Sequence, residues 1–281
     1  MRVDIGDGIR LFFDVVGSHF APEPNEMRER PVLLVLHGGP GVDHAFMRPY
    51  FDRFCDTHCV VYFDHRGNGR SDGRNDPSGW ELDTWADDVS RLCGALEIAS
   101  PVLLGVSFGG TVAMHAAGRH PALPSKLVLI SSSAHHDNEA RLAAFERLGG
   151  EHARQVARRY YTTPTPESLD EFAAVCYPLY TQRKQMSVRR GVKAHSAVAN
   201  HYFAHIEPFK DLTASVVGIR CPTLVLVGEE DPVTPPVMAE RIAETLSPDL
   251  VRLQRFEGCG HGTHRDEPAR TEAAIREFLS S

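Results

Sequence analysis

The segment Gly105–Gly109 reads glycine, any residue, serine, any residue, glycine, with Ser107 at its centre. An apolar run, Pro101–Leu104, precedes it, and a helical pattern of small residues, Thr111–Ala117, follows it. A serine on a tight turn between a strand and a helix is well presented for nucleophilic attack, and the flanking glycines let the strand and the helix approach each other. We therefore predict that Ser107 is a catalytic nucleophile.

A serine nucleophile needs a general base, and the base needs an acid that orients it. Asp231 follows the apolar run Pro222–Val227 in a Gly-x-x-Asp-Pro turn, which would hold a carboxylate at the end of a strand. We predict that Asp231 is the orienting acid, with Glu229 and Glu230 beside it as alternatives.

The base is expected at the end of a later strand. His261 follows the run Val251–Phe256 and lies between two glycines, so a loop presents it. We predict that His261 is the general base. His264 competes with it, but the spacing of His264 places it at the start of the last helix.

Two backbone amides must stabilise the oxyanion that forms during acyl transfer. One donor is expected from Phe108, directly after the nucleophile, and the other from the loop after the strand Pro31–Leu36. That loop reads His-Gly-Gly-Pro-Gly, and Gly39 is the predicted donor because it has no side chain to block a substrate oxygen. His37 is expected to brace the loop.

Apolar runs alternate with helical patterns along most of the chain, which predicts an α/β fold with a mostly parallel central sheet flanked by helices. Residues 2–16 instead alternate apolar and polar side chains around Asp7-Gly8, which predicts an antiparallel hairpin. The strands predicted after it are Pro31–Leu36, Val60–Phe63, Pro101–Val106, Lys126–Ile130, Pro222–Val227 and Val251–Phe256. The other predicted elements are helices at His44–Phe54, Asp83–Ile98 (with Asp83 as N-cap), Thr111–His120, Pro235–Leu246 and Glu267–Leu279, and a surface loop at Ala21–Pro31.

The alternation stops at residues 134–210, where only helical patterns occur. We predict an α/β core of residues 1–133 and 211–281 and an inserted helical lid, 134–210, over the carboxyl ends of the strands, where open α/β sheets bind ligands. The predicted lid helices are Asn138–Leu148, Glu151–Tyr161, Pro166–Tyr177 and Ser187–His205. Lid aromatic residues that predict a largely apolar pocket are Tyr160, Tyr161, Phe172, Tyr177, Tyr180, Tyr202 and Phe203.

The composition excludes several classes of protein. The net charge of −7, with basic residues scattered, argues against a nucleic-acid partner, and no apolar stretch approaches the length of a membrane span. The start has no apolar signal region, and six dispersed cysteines predict reduced thiols in the cytoplasm. Cys55 and Cys59 have no second pair beside them, so we expect core packing, no metal site and no cofactor. The oligomeric state stays open.

Several segments together resemble the α/β-hydrolase fold superfamily and, within it, the proline iminopeptidase-like family of serine peptidases (prolyl aminopeptidases). They are His37–Gly41 (H-G-G-P-G), Asp64–Ser71 (D-x-R-G-x-G-R-S), the Ser107 turn, Asp231, His261 and Asn200–Phe203 (N-H-Y-F). The resemblance implies an acyl-enzyme mechanism, makes removal of an N-terminal proline a candidate activity, and implies substrate contacts from Tyr202 and Phe203. Asp64 and Arg66 are expected to fix the loop beside the nucleophile through charge-assisted hydrogen bonds.

The chain departs from that family at two positions. A glutamate commonly precedes the N-H-Y-F-like run and helps to hold the free amine of the substrate, but Ala199 stands there in this chain. Phe108 stands where these peptidases usually carry tryptophan. Because a buried ammonium needs a carboxylate partner, the departure at Ala199 weakens the implied peptidase activity. Glu207 and Glu171 are the candidate replacements.

The function predicted from these features is a serine hydrolase that acts on a small ester, amide or short peptide. A lactonase or a hydrolase of carbon–carbon bonds would use the same residues and fold. A ligand receptor that keeps the hydrolase architecture is the alternative from another class, because a fold does not by itself define a function.

Overall fold

The mostly parallel sheet predicted from the sequence is present in the computed structural model, which describes residues 1–183 and 192–281. The strands are β1 (Arg2–Asp4), β2 (Arg10–Val16), β3 (Phe20–Pro22), β4 (Met27–Glu29), β5 (Val32–Leu36), β6 (Cys59–Phe63), β7 (Val102–Val106), β8 (Lys126–Ile130), β9 (Thr223–Gly228) and β10 (Val251–Phe256). Within the described residues, eight strands form one sheet in the order β1-β2-β6-β5-β7-β8-β9-β10.

The strand directions confirm the α/β fold class. From β6 to β10 every neighbouring pair in the sheet is parallel. At the opposite edge, β1 pairs antiparallel with β2, and β2 pairs antiparallel with β6. Asp7 and Gly8, in the turn between β1 and β2, both have positive φ, 56° and 71°. Tight hairpin turns require such angles, so the predicted antiparallel hairpin is also confirmed.

The helices surround this sheet and extend beyond it. They are α1 (Leu82–Ala95), α2 (Phe108–Arg119), α3 (Asn138–Thr162), α4 (Pro166–Val175), α5 (Ser196–His201), α6 (Thr213–Gly218), α7 (Pro236–Thr245), α8 (Thr263–Asp266) and α9 (Pro268–Ser280). The sequence did not predict α6 and α8, because helices of six and four residues are too short to display a hydrophobic period. No helix in the described parts of the chain combines the length and the apolar character needed to cross a membrane.

Three local predictions were wrong. The segment His44–Phe54 forms two 3₁₀ helices, His44–Met47 and Tyr50–Asp56, because Pro49 has no N–H to continue a helix. The predicted loop at Ala21–Pro31 contains β4 and part of β3, which pair as a short antiparallel ribbon.

The third concerns the N-terminus of α1, where Glu81 rather than Asp83 is the N-cap. The carboxylate of Asp83 instead contacts His115 Nε2 at 2.7 Å and Arg119 Nη1 at 2.9 Å, both on α2. The Asp83 side chain therefore links α1 to α2 and does not cap α1.

The core lies on both faces of the sheet. Along β5, Leu34 and Leu36 pack on the face covered by α1 and α2, while Leu33 and Val35 pack on the opposite face, which α9 covers. All four side chains are fully buried. Burial of each contributes about 1.5–3 kcal/mol relative to exposure. This two-sided burial is the physical reason that the strand is a continuous apolar run.

The segment between β8 and β9, which we call the insertion, contains a cluster of buried aromatic side chains: Phe145, Tyr160, Tyr161 and Phe172. Its helix α3 is interrupted at Gly150 (φ 74°), between the two helical segments predicted there. In the described residues between 136 and 210 all regular elements are helices or helical turns. The predicted helix Ser187–His205 lies partly outside the described residues; α5 and a π-helical turn, Tyr202–Ile206, cover its second half. The boundaries predicted for the core and the lid stay predictions.

Candidate active site

Ser107 stands on a strained turn between β7 and α2. Its backbone angles, φ 55° and ψ −120°, belong to a region that residues other than glycine rarely occupy. The amide of Ser107 donates a hydrogen bond to the carbonyl of Ile130 on β8 at 2.9 Å, and α2 begins at the next residue. This geometry holds the side-chain hydroxyl at the carboxyl edge of the sheet, where it is partly accessible.

The two glycines of the motif are required by close backbone contacts. A Cβ at Gly105 would collide with the backbone of Gly109 and Gly110. A Cβ at Gly109 would collide with the carbonyl oxygens of Leu36 and His37 at the end of β5. The strand, the helix and the neighbouring strand end therefore meet around the serine with no room for side chains.

The three residues predicted to form a triad are brought together from remote loops. Nε2 of His261 lies 3.0 Å from Oγ of Ser107. Nδ1 of His261 lies 2.9 Å from Oδ2 and 3.0 Å from Oδ1 of Asp231. The imidazole therefore bridges the hydroxyl and the carboxylate at hydrogen-bond distance on both sides. With Nδ1–H donating to Asp231, Nε2 is left to accept a proton from the serine.

Asp231 is fully buried but well hydrogen-bonded. It accepts hydrogen bonds from the backbone amides of Val233 and Thr234 and from the Thr234 hydroxyl, each at 2.9 Å. Burial by itself would raise the pKa of this carboxyl, but the attraction and hydrogen bond of His261, together with the Thr234 donors, hold the pKa below its ordinary value. The group is therefore a carboxylate at neutral pH.

The side chains of two rival candidates, Glu229 and His264, are engaged elsewhere. The carboxylate of Glu229 binds Arg255 at 2.6 and 2.7 Å on the protein surface. The ring of His264 packs against the rings of Tyr50 and Phe51, with centroids 5.3 Å apart in each pair. Glu230 follows Glu229 in the turn after β9, and its amide donates to the Cys259 carbonyl at 2.9 Å.

Two backbone contacts hold the loop that carries His261. The amide of His261 donates to the carbonyl of Tyr180 at 2.7 Å, and the amide of Gly262 donates to Oγ of Ser131, after β8, at 2.9 Å. The ring of Tyr180 also lies edge-on to the imidazole, with centroids 5.2 Å apart. The insertion and the core therefore position the histidine together.

His37 braces the loop that carries Gly39. Nδ1 of His37 lies 2.7 Å from the carbonyl of Gly38, and Nε2 lies 3.2 Å from the amide of His65. Because an amide can only donate, Nε2 must accept, and the ring proton must be on Nδ1. Burial lowers the pKa of His37, which favours this neutral form. The loop itself has a positive φ of 119° at Gly39, which suits glycine.

Replacing His37 with alanine is expected to lower kcat for 4-nitrophenyl acetate by roughly 10–100-fold, which is less than the ~10²–10³-fold cost of removing an oxyanion donor outright. The physical reason is that the Gly39 amide would be displaced rather than lost. Steady-state kinetics measure the effect. His152→Ala, at an exposed histidine, is the matched control. A kcat within threefold of the wild-type value in a folded His37→Ala protein would contradict the bracing role.

Asp64 and Arg66 fix the neighbouring loop as expected, through different partners. Asp64 accepts hydrogen bonds from the backbone amides of His44 at 2.9 Å and Arg70 at 2.8 Å, and Nδ1 of His44 lies 2.7 Å from the same carboxylate. Arg66 binds Asp88 on α1 through two hydrogen bonds of 2.8 and 2.6 Å. These contacts hold the loop between β6 and α1 in place.

The predicted substrate-binding residues occupy different positions. Tyr202 is buried, and its ring stands perpendicular to that of Phe108, with centroids 5.1 Å apart. Phe203 is half-buried and packs against the rings of Tyr160 and Tyr161, at 5.5 and 5.3 Å. Tyr202 is therefore in contact with the residue after the nucleophile, whereas Phe203 belongs to the aromatic cluster of the insertion.

Ala199 lies against the loop that carries Gly39. A Cβ at Gly41 would come within 3.1 Å of the Ala199 side chain and 2.8 Å of the His195 carbonyl. The amide of His195 donates to the Gly41 carbonyl at 2.7 Å. The position that carries a glutamate in the resembling family is thus close to the loop His37–Gly41, but in this chain it offers no charge.

The two candidate replacement glutamates are both paired with cations. Glu207 is buried, 2.6 Å from Nη2 of Arg141 and 2.7 Å from Nδ1 of His136. Glu171 binds Arg159 near the surface of the insertion. Arg141 was not singled out from the sequence, and neither was Thr234. A Thr three residues after Asp231 was an available signal for the latter, whereas nothing local distinguishes Arg141 from the other arginines of α3.

The described residues do not suggest a metal centre. In residues 1–183 and 192–281, no group of three or more His, Cys, Asp or Glu side chains is arranged to hold a metal ion. All six cysteines are free, and five of them are buried.

Comparisons with known proteins extend these observations. A family model described as "alpha/beta hydrolase fold" matches residues 31–268. The chain is 29% identical to a proline iminopeptidase of Levilactobacillus brevis over 269 residues, covering 89% of this chain and 88% of that protein. It is 27% identical to a putative carbamate hydrolase of Rhizobium rhizogenes over 254 residues, covering 88% and 92%. The crystal structure of a Mycobacterium smegmatis proline iminopeptidase superposes with a TM-score of 0.74 at 22% identity, covering 100% and 97%.

The relatives carry different named activities, so what they share is the fold and the hydrolytic type of reaction. The family match covers more than half of the chain, and the strand order, the turn at Ser107 and the strand-end loops agree with it. The chain therefore belongs to the alpha/beta hydrolase fold family and is a hydrolase of that fold.

Proposed function

We propose that this hydrolase is a serine hydrolase that works through an acyl-enzyme, with Ser107 as nucleophile, His261 as general base and Asp231 as orienting acid. The observation that carries the proposal is the hydrogen-bonded series Ser107 Oγ, His261 Nε2, His261 Nδ1 and Asp231 Oδ2, with distances of 3.0 and 2.9 Å. A base within hydrogen-bond reach of the hydroxyl and a carboxylate behind the base are the geometric requirements of this chemistry.

The catalytic cycle follows from these positions. Oγ of Ser107 attacks the substrate carbonyl carbon while Nε2 of His261 takes the hydroxyl proton. The oxyanion that forms is stabilised by the amides of Gly39 and Phe108. His261 then gives its proton to the leaving alcohol or amine, which leaves an acyl group on Ser107. A water molecule deprotonated by His261 releases the acid and restores the serine. Apart from the substrate and the water molecule, every group in this proposed cycle belongs to the chain, so the cycle itself calls for no cofactor or metal ion.

We also propose that the insertion, residues 134–210, is a lid over this site. Two backbone hydrogen bonds support the assignment. The amide of His195 donates to Gly41 in the oxyanion loop, and the carbonyl of Tyr180 accepts from His261, each at 2.7 Å. The lid therefore contacts both catalytic loops, and a shift of the lid would move the groups that react.

The aromatic side chains of the lid favour an apolar acyl group on the substrate. Tyr202 packs on Phe108, and Tyr180 packs on His261, so both reacting loops are bordered by rings. An apolar group placed among rings is removed from water and gains about 25 cal/mol per Å² of buried area. The proposed substrates are small esters or amides.

A free amine on the substrate is disfavoured. Ala199 provides no carboxylate, and Glu207 already accepts from Arg141 at 2.6 Å. An ammonium group brought to Glu207 would also face the positive charges of Arg141 and Lys210, which lies 4.0 Å from the same carboxylate oxygen. We therefore place N-terminal proline removal below simple ester or amide hydrolysis.

Covalent labelling tests the proposal. A fluorophosphonate probe is expected to attach to Ser107 with one label per chain, because the serine is activated by His261. Peptide mass spectrometry identifies the modified residue. Ser107→Ala must abolish the label, whereas Ser90→Ala, at a half-buried serine of α1, must leave it unchanged. A label on another serine, or none on a folded wild-type protein, would refute the assignment.

A substrate panel tests the class of substrate. 4-Nitrophenyl acetate, a γ-lactone, alanine 4-nitroanilide and proline naphthylamide are compared by kcat/KM at pH 7.5. We expect the neutral ester to exceed proline naphthylamide by at least ~10-fold, since a buried ammonium without its carboxylate is strongly penalised. Preference for the proline substrate would refute the ranking while leaving the serine mechanism in place.

A further inference from the structure

Three charged side chains of the proposed lid, which the proposed cycle does not use, are buried together. Arg141 is 2% exposed, Glu207 2% and Lys210 7%. Nη2 of Arg141 lies 2.6 Å and Nζ of Lys210 lies 4.0 Å from the same oxygen of Glu207. Nζ of Lys210 also donates to Oγ of Ser133 at 2.8 Å. We refer to these three residues as the buried charge cluster.

The buried charge cluster carries a net positive charge. Burial opposes ionisation of Glu207, but the attraction of Arg141 outweighs it and lowers the pKa of the carboxyl well below its usual range. Burial lowers the pKa of Lys210 to about 8, so the ammonium is mostly protonated at pH 7. Arginine stays protonated throughout. Two cations therefore share one carboxylate in a place where uncompensated charge is costly.

Nη1 of Arg141 is the atom at which a further anionic group could bind. Its Nε donates to the carbonyl of Val233 at 3.1 Å, and its guanidinium carbon lies 4.3 Å from the centre of the Tyr161 ring. With Nη2 on Glu207, the guanidinium is held on three sides. Nη1 is buried and has no hydrogen-bond partner among the described residues. A water molecule could accept from Nη1, but only an anion would also balance the charge.

The backbone of Val233 links Arg141 to the acid of the proposed triad. Val233, whose carbonyl binds Nε, also donates its amide to Asp231 at 2.9 Å. Burial raises the pKa of the Tyr202 hydroxyl and the charge of Arg141 opposes that shift, and the Tyr202 ring packs on Phe108 directly after the nucleophile. A substrate long enough to reach from Ser107 to Arg141 would place its carbonyl at the serine and an anionic group at the guanidinium.

We propose that Arg141 is a specificity-determining residue that binds a carboxylate of the substrate, so that the preferred substrates are esters or amides carrying a carboxylate several bonds from the scissile carbonyl. The inference rests on the proposed serine hydrolase function. It goes beyond that function because it assigns a substrate charge, opposite in sign to the ammonium recognised by the family that the sequence resembles.

Matched ester pairs test the proposal. Mono-4-nitrophenyl adipate and mono-4-nitrophenyl pimelate carry a terminal carboxylate, whereas 4-nitrophenyl hexanoate and 4-nitrophenyl heptanoate have the same chain lengths without it. For the better pair, wild-type kcat/KM is expected to favour the anionic ester by roughly 10-fold or more, through KM rather than kcat, as a charge-assisted hydrogen bond provides. A ratio of one or less for both pairs overturns the inference.

Variants assign the preference to Arg141. Arg141→Gln is expected to lower the anionic-to-neutral ratio by roughly 10–100-fold. Arg147→Gln, at an exposed arginine of the same helix, must leave the ratio unchanged. Should Arg141→Gln fail to fold, Glu207→Gln is decisive, because it removes the negative charge that repels an anionic substrate at Arg141 and is expected to raise the ratio. An unchanged ratio in folded Arg141→Gln, or an unchanged or lower ratio in Glu207→Gln, overturns the inference.

The two proposals fail in different ways. If neither ester of a pair is turned over by the folded wild-type protein, the serine hydrolase function fails. If both are turned over without preference for the anionic ester, only the role of Arg141 fails. Binding of monomethyl adipate to Ser107→Ala, measured by calorimetry against methyl hexanoate, examines the carboxylate site without any turnover; equal affinities for the two ligands overturn the inference.

Discussion

Ser107→Ala is expected to reduce kcat for 4-nitrophenyl acetate by roughly 10⁴–10⁶-fold, because removing the nucleophile leaves only the oxyanion donors and substrate positioning. The loss should fall on kcat, since the alanine still leaves the amides of Gly39 and Phe108 available for the substrate oxygen. Stopped-flow absorbance of released 4-nitrophenol measures it, and the burst that reports acylation should vanish.

The fold should survive this change. Ser107 donates its backbone amide, not its hydroxyl, to Ile130, so alanine preserves the contact that holds the turn. Ser90→Ala serves as the matched serine variant and should retain full activity. Residual turnover above roughly 1% of the wild-type rate in Ser107→Ala would exclude Ser107 as the nucleophile, since triad deletions cost far more than that.

Asp231→Asn is expected to lower kcat at neutral pH by roughly 10⁴-fold. The asparagine amide would present an N–H to Nδ1 of His261, which forces the ring proton onto Nε2. That nitrogen lies 3.0 Å from Oγ of Ser107 and could then no longer accept the serine proton. Steady-state kinetics at pH 7.5 measure the loss.

Glu230→Gln is the matched control for this prediction, because it neutralises the adjacent carboxyl in the same turn. We expect its kcat to stay within roughly tenfold of the wild-type value, as for a residue outside the triad. A larger effect of Glu230→Gln than of Asp231→Asn would reverse the assignment of the acid.

The wild type and Asp231→Asn are also expected to differ in their stability in acid. The folded-state pKa of Asp231 lies below its ordinary value of 3.8, so the folded protein binds fewer protons at this group than the unfolded chain does. Its contribution to stability is therefore complete above that ordinary value and is lost as the pH falls through the lower folded-state pKa. Between about pH 5 and pH 2, the melting temperature of Asp231→Asn should fall less steeply than that of the wild type.

Most of the fold could be predicted from the sequence because its signals are local. Buried parallel strands are continuous apolar runs, and the one predicted at Lys126–Ile130 coincides with β8. Errors occurred where a nearby backbone rule or a distant partner overrode the pattern. Pro49 interrupted the predicted helix at His44–Phe54, and the carboxylate of Asp83 paired with α2 rather than capping α1.

The order of the catalytic candidates and their places at strand ends could be read from local patterns, because strand, turn and helix signals depend on neighbouring residues. Three features depend on the packed fold: Asp231 is the carboxylate that faces His261, His264 lies among aromatic rings, and Arg141 and Lys210 share the carboxylate of Glu207. Some of these contacts join residues more than one hundred positions apart in the chain, as between Phe51 and His264. Their formation depends on burial and side-chain direction after packing, which no local pattern encodes.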